Sequence, residues 1–189
     1  MIDDNYLIQA ISTLTAGGTI LFPTDTIWGI GCDATNEEAV KKIYKIKNRP
    51  QGKPLILLAS SIGMVKRYVK TIHPKIETLL LYHCRPLTVI YDNAKNLPEI
   101  LLPKDKSIGI RIPQDEFCRK LIEKYDKPLV STSANLSDHP FPNSFGEIQS
   151  NILKNVDHIV SLRQQEKSNS TPSVIIKLDQ NGEIHFLRE

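Results

Sequence analysis

Lys47, Arg49 and Lys53 crowd into one short turn between a helical and an extended stretch. A planar guanidinium flanked by two mobile ammonium groups suits a polyphosphate. A turn whose charges are merely solvated is the alternative that these residues leave open. Two hydroxyl-rich turns, Thr24-Asp25-Thr26 and Ser131-Thr132-Ser133-Ala134-Asn135, each follow an apolar run that reads as a strand. Hydroxyls and backbone N–H groups at strand ends suit phosphate, carboxylate or ribose, and equally suit plain turn capping. In Ser107-Ile108-Gly109-Ile110-Arg111-Ile112 the alternation puts Ser107, Gly109 and Arg111 on the face opposite three isoleucines. A cation there needs a carboxylate, a ligand anion or solvent. Asp25, the acid of the first turn, either holds a metal-bound water or orders the loop.

Other chemistries lack their residues. The chain has no GxxxxGKS/T phosphate loop, no GxGxxG fingerprint and no GxSxG elbow. Its histidines are scattered without metal-ligand spacing, so no protein-bound metal site is expected. Cys32, Cys84 and Cys118 lie far apart and form no CxxC pair, which argues against a disulfide framework or thiolate zinc and for a reducing compartment. The first residues lack the basic and apolar regions of a signal peptide, and no run reaches the roughly 18–20 apolar residues of a membrane span. A cytoplasmic protein without a membrane partner is expected. There, the sequon matches at Asn135-Leu136-Ser137 and Asn169-Ser170-Thr171 are read as chance.

These residues need a scaffold, and 189 residues with 40% hydrophobic and 24% charged content are enough for one domain with a sizeable core. The net charge of +3 is compatible with nucleotide or nucleic-acid partners without requiring them. Apolar spacing predicts helices over residues 5–16, from a Thr35/Glu38 capping box through Tyr44, over 62–69, from Pro74 through Leu80, over 116–125, and from a Ser144/Glu147 box through Ile152. Lys47 falls on the buried side of the second helix, where snorkelling and a functional role are equally open. Strands are expected at 19–22, 55–59, 87–91, 107–112, 129–131 and 158–161, with a hairpin of 173–178 and 183–187 around Asn181-Gly182. Gly29 and Gly31 read as flexible points of a loop, and residues 163–172 as a polar loop. Alternating strands and helices predict a single α/β domain over 1–189 with a twisted mixed sheet.

The ordered set GGTILFPTDTIWGIGCDA from Gly17, KxRP at Lys47–Pro50, KPLILL from Lys53, PLT at Pro86–Thr88, RIP at Arg111–Pro113 and STSANLS from Ser131 resembles the YrdC-like threonylcarbamoyl-AMP synthase family. The resemblance implies a twisted sheet around a basic concavity. It also implies a reaction of L-threonine, bicarbonate and ATP to threonylcarbamoyl-AMP and pyrophosphate, for threonylcarbamoyladenosine modification of tRNA. By motif it implies Lys47 and Arg49 as catalytic cations on the phosphates. Arg49, Lys53, Ser107, Ser133 and Arg188 would bind ATP, and Thr26, Leu58, Arg111, Ser131 and Ser173 would bind threonine. Mg²⁺ would accompany ATP. Partners would include the downstream threonylcarbamoyl transferase proteins, and tRNA or double-stranded RNA. The sequence departs from the family pattern at Trp28 (usually Tyr), at Cys84-Arg85-Pro86 (usually Pro-Gly-Pro), and at Val174 and Lys177 (usually Thr and Asp). Two other readings are a related carbamoyl-adenylate-forming domain, as in hydrogenase maturation, and a non-catalytic RNA-binding module.

Overall fold

The chain winds into a mixed sheet with helices packed against it; the computed structural model describes residues 3–167 and 171–189. The first helix, α1 (Asp4–Thr15), is capped by Asp3, whose carboxylate accepts from Asn5 N at 2.9 Å, and buries Leu7, Ala10 and Leu14. Strands β1 (Thr19–Phe22) and β2 (Gly29–Asp33) then pair antiparallel. Helix α2 (Glu37–Ile46) turns Val40, Ile43 and Tyr44 inward. Its cap is Asn36, which accepts from Ala39 N at 3.1 Å, rather than Thr35 of the expected capping box; Thr35 instead donates to Asp33. Strand β3 (Ile56–Leu58), helices α3 (Ile62–Tyr68) and α4 (Pro74–Tyr82), and strand β4 (Leu87–Tyr91) follow. Next come β5 (Ile108–Arg111), α5 (Glu116–Tyr125), β6 (Leu129–Ser133), α6 (Ser150–Asn155), β7 (His158–Ile159), β8 (Val174–Leu178) and β9 (Ile184–Arg188).

The strand order is β7-β1-β2-β6-β3-β5-β4-β8-β9. The β1–β7, β3–β5 and β4–β8 pairs are parallel and the others antiparallel, so the sheet is mixed as expected. Register separates two faces, because residues directly opposite across a ladder point the same way. Gly31 faces Ser131, Ser131 faces Ile56, and Ile56 faces Gly109; one step along, Leu58, Arg111 and Thr88 are aligned. The other face carries Ile30, Cys32, Leu57, Val89, Ile110 and Val130, all buried in the apolar core.

Two local expectations change. Gly29 and Gly31 are strand residues, because a Cβ on Gly31 would sit 2.3 Å from Val130 O and 2.9 Å from Phe22 Cε1. Close approach of neighbouring chains, not a flexible turn, is what requires glycine there. Ser144 makes no side-chain cap: Phe145–Glu147 is a 3-10 turn, and Glu147 accepts from Asn143 N at 2.9 Å, leaving α6 to begin at Ser150. Asn169 and Ser170 of the Asn169-Ser170-Thr171 match, and residues 168–170 of the 163–172 loop, fall outside the described residues.

Candidate active site

A cleft of about 270 Å³ opens on the glycine- and serine-bearing face of the sheet. Its floor is Leu58, Thr88, Arg111, Ser131 and Ser133; Thr24 and Thr26 to Gly29 form one wall, Arg49 with Pro54–Ile56 a second, and Pro172, Ser173 and Arg188 a third. Hydroxyl-bearing side chains reach this floor because β6 extends through Ser133 instead of turning at Thr132 as expected. That extension is possible because β2, thinned by its glycines, pairs with β6 along its whole length, Gly29 opposite Ser133.

Arg111 is 6% exposed. Its guanidinium donates to Thr26 Oγ1 at 2.9 Å and pairs with Asp25, whose other carboxylate oxygen accepts from Gln114 N at 3.2 Å. Asp25 therefore orders the loop by fixing the arginine. Thr24 and Thr26 hydroxyls lie 2.9 Å apart, and Thr24 donates to Ile27 O, which locks the loop that carries them. On the opposite wall the Ser173 and Thr88 hydroxyls are 2.7 Å apart, and Arg188 donates twice to Ser173 O at 2.9 and 2.7 Å. Burial, with the like charge of Arg111 second, lowers the pKa of Arg188. Two guanidinium groups that oppose each other across a cleft are relieved by an anion placed between them. Arg49 is held by Pro54 O at 2.8 Å.

Of the residues expected to act, Thr26, Arg49, Leu58, Arg111, Ser131, Ser133, Ser173 and Arg188 line this one cleft. Lys47, Lys53 and Ser107 do not. Lys47, expected on the phosphates, is 1% exposed, and its ammonium donates to Ser133 O at 2.5 Å and Asn135 O at 2.6 Å behind the wall. Burial first, and the Arg49 charge second, pull its pKa down to about 7, while the two carbonyls favour the charged form. Lys53 projects outward to Asp138 at 3.1 Å, since Pro54 turns the chain before β3 begins. Ser107 precedes β5 and its hydroxyl donates to Asp105 at 2.8 Å.

Sequence reasoning missed Trp28, Thr88 and Phe141 as lining residues. Trp28 is fixed by Phe145, ring centroids 5.1 Å apart, whereas Phe141 is 39% exposed at the cleft. An aromatic next to two prolines in an otherwise polar loop was the available signal for Phe141. The departures from the family pattern leave the backbone links of the third wall in place. Val174 N still donates to Pro86 O at 2.9 Å, and Lys177 pairs with Asp92 at 3.0 Å.

Among the described residues no acidic side chain lines the cleft. Among the described residues the one cluster with metal-ligand proximity is Asp179, Glu183 and His185 on the β8–β9 hairpin, which is largely exposed and contributes none of these three to the cleft lining. No helix among them is long and apolar enough to cross a membrane.

Fold and cleft together define an α/β domain built around a cationic, hydroxyl-lined site. The chain belongs to the Sua5/YciO/YrdC family, described as telomere recombination, which it matches over residues 12–189. It is 33% identical to the threonylcarbamoyl-AMP synthase of Pseudoalteromonas translucida, over 97% of this chain and 98% of that one. It is 36% identical to the putative threonylcarbamoyl-AMP synthase of Methanocaldococcus jannaschii, over 92% and 80%. Among solved structures, P. abyssi Sua5 complexed with L-threonine superposes with a TM-score of 0.87 at 27% identity; it matches all of this chain, which spans 55% of that longer one.

Proposed function

We propose that this chain is an L-threonylcarbamoyl-AMP synthase, a nucleotidyltransferase that joins L-threonine, bicarbonate and ATP with release of pyrophosphate. One observation carries the reading: a single cleft, with no acidic side chain among the described residues that line it, brings a buried Arg111, set among hydroxyls, together with Arg49 and Arg188. That arrangement suits a ligand anionic at both ends, a carboxylate at one and a polyphosphate at the other. The names of the relatives, and the threonine in the P. abyssi structure, support the same assignment.

In this reading Arg111 receives the threonine carboxylate, with Thr26, Ser131, Ser173 and Leu58 around the rest of the amino acid. Arg49, Ser133 and Arg188 hold the nucleotide, with Lys53 and Ser107 outside the cleft itself. The threonine amine and bicarbonate condense to a carbamate with loss of water. A carbamate oxygen then attacks the α-phosphorus of ATP, a P–O bond forms, and the bond to pyrophosphate breaks. No protein nucleophile is needed. The chain contributes alignment and positive charge: Arg49 neutralises the departing pyrophosphate, and fixed hydroxyls hold the attacking group in line. Mg²⁺ enters as part of the ATP substrate. The threonylcarbamoyl product then passes to tRNA-modifying transferase proteins in the cytoplasm.

The test is pyrophosphate release from ATP with threonine and bicarbonate each left out in turn. Release that requires both is expected. No release, combined with salt-sensitive RNA binding, would point instead to an RNA-binding module.

A further inference from the structure

Lys47 has the type and sequence position of a phosphate ligand, yet its surroundings assign it a different task. It is the C-cap of α2, and the next residue, Asn48, is in the left-handed region at φ 48°, which turns the chain toward Arg49. The Lys47 side chain leaves this corner away from the cleft and is 1% exposed. Its ammonium meets two carbonyls, Ser133 O at 2.5 Å and Asn135 O at 2.6 Å, and no carboxylate among the described residues. The main chain adds a third link, Ser137 N donating to Lys47 O at 2.9 Å.

Those contacts converge on the point where β6 ends and the chain must stop pairing. Past Ser133, Ala134 N donates to Trp28 O at 2.9 Å, and no further ladder partner holds the segment. Carbonyls of residues 133 and 135 that point into the protein need donors, since a buried unpaired carbonyl costs about 1–3 kcal/mol. The Lys47 ammonium supplies the donor for Asn135 O and a second donor for Ser133 O, which also accepts from Asn135 N at 2.9 Å. It ties the segment to the end of α2, the same corner from which Arg49 enters the cleft.

We propose that Lys47 is a positioning residue: it holds the Ser133–Asn135 segment so that the Ser133 hydroxyl faces the nucleotide, and it does not touch phosphate. The proposal rests on the synthase reading for its kinetic test, though not for its structural one. Lys47 has both acceptors in hydrogen-bond range behind the wall, and its side chain does not line the cleft. Its charge is matched by carbonyl dipoles and by the C-terminal end of α2, where a cation is favoured. The phosphate-facing cation of this corner is Arg49 alone.

The structural test uses the wild-type protein. Brief treatment with an amine-acylating reagent, read by peptide mass spectrometry with and without ATP, is expected to modify exposed Lys53 and to leave Lys47 unmodified in both conditions until the protein is unfolded. Acylation of Lys47 in the folded protein that ATP prevents would overturn the proposal. The kinetic test compares Lys47→Met with Arg49→Ala. For Lys47→Met, KM for ATP and the inhibition constant for AMP are expected to rise together by about tenfold as the wall loosens, while inhibition by pyrophosphate moves less than about twofold. For Arg49→Ala, inhibition by pyrophosphate is expected to weaken by about tenfold or more. Pyrophosphate inhibition weakened as much in Lys47→Met as in Arg49→Ala would overturn the proposal, as would a Lys47→Met protein with wild-type constants. A wild type that releases no pyrophosphate would sink the synthase reading instead, and the acylation result would still decide where the ammonium lies.

Discussion

Removing the Arg111 guanidinium separates its structural task from its chemical one. Arg111→Met deletes the bond to Thr26 and the ion pair with Asp25, leaving that carboxylate, 15% exposed, with Gln114 N as its remaining partner. Breaking one side of a buried pair costs about 3–5 kcal/mol. Asp25 retains some solvent, so the lower end, about 3 kcal/mol, applies. For a chain of this length that corresponds to a melting temperature lower by about 6–12 °C. Losing a charge-assisted bond to the threonine carboxylate costs about 1.5–3 kcal/mol, or about 10- to 150-fold in KM for threonine. The double variant Asp25→Asn/Arg111→Met removes the orphaned charge, so most of the stability returns, to within about 1.5 kcal/mol of wild type. Its KM for threonine stays as high as in the single variant. Calorimetry on the three proteins, with pyrophosphate release titrated with threonine, measures both effects. A single variant that keeps the wild-type KM for threonine refutes the role given to Arg111. A double variant no more stable than the single refutes the pairing argument.

Gly31→Ala is expected to destabilise by about 1–3 kcal/mol, because neither Val130 O at 2.3 Å nor the Phe22 ring at 2.9 Å can move aside without parting strands; thermal melting checks it, and an unchanged midpoint contradicts it. Burial alone would raise the pKa of Asp33, but hydrogen bonds from Lys127, Thr35 and Tyr125 outweigh it and hold the carboxyl below its ordinary value. The folded state then binds fewer protons than the unfolded one, so this stabilisation is complete above about pH 4 and disappears as pH falls through the folded-state value. Melting of wild type and Asp33→Asn across that range should therefore converge on acidification, whereas a gap independent of pH would count against it. Phe141→Ala is expected to raise KM for ATP by about fivefold or more through loss of a stacking surface, with KM for threonine unchanged; competition titrations with the two substrates distinguish this from general damage.

The fold was legible where local pattern and tertiary demand agreed. Helix α5 begins and ends where its apolar spacing places it, and β1 and β4 coincide with their apolar runs. The alternation around Arg111 correctly separated the isoleucine face from the face that carries the site. Glycine misled at positions 29 and 31, because sequence cannot distinguish a residue chosen for a left-handed turn from one chosen for a close approach between strands. At the site, Arg111, Ser131, Ser133 and Arg188 come together in one cleft because the pleat fixes where strand side chains point, whereas Ser107, ahead of β5, stays outside it. The lysines also lie outside it. Lys47 and Lys53 have four-carbon stems whose direction is set by acceptors distant in sequence, Ser133, Asn135 and Asp138, which no local pattern announces.

The central claim is that one cleft joins threonine, bicarbonate and ATP into a single adenylate. It is tested most directly by supplying isotopically labelled bicarbonate with ATP and threonine and analysing the products by mass spectrometry. The expected result is a threonine adenylate that carries the labelled carbon, formed in step with pyrophosphate. Unlabelled adenylate, or pyrophosphate released without threonine, would contradict it.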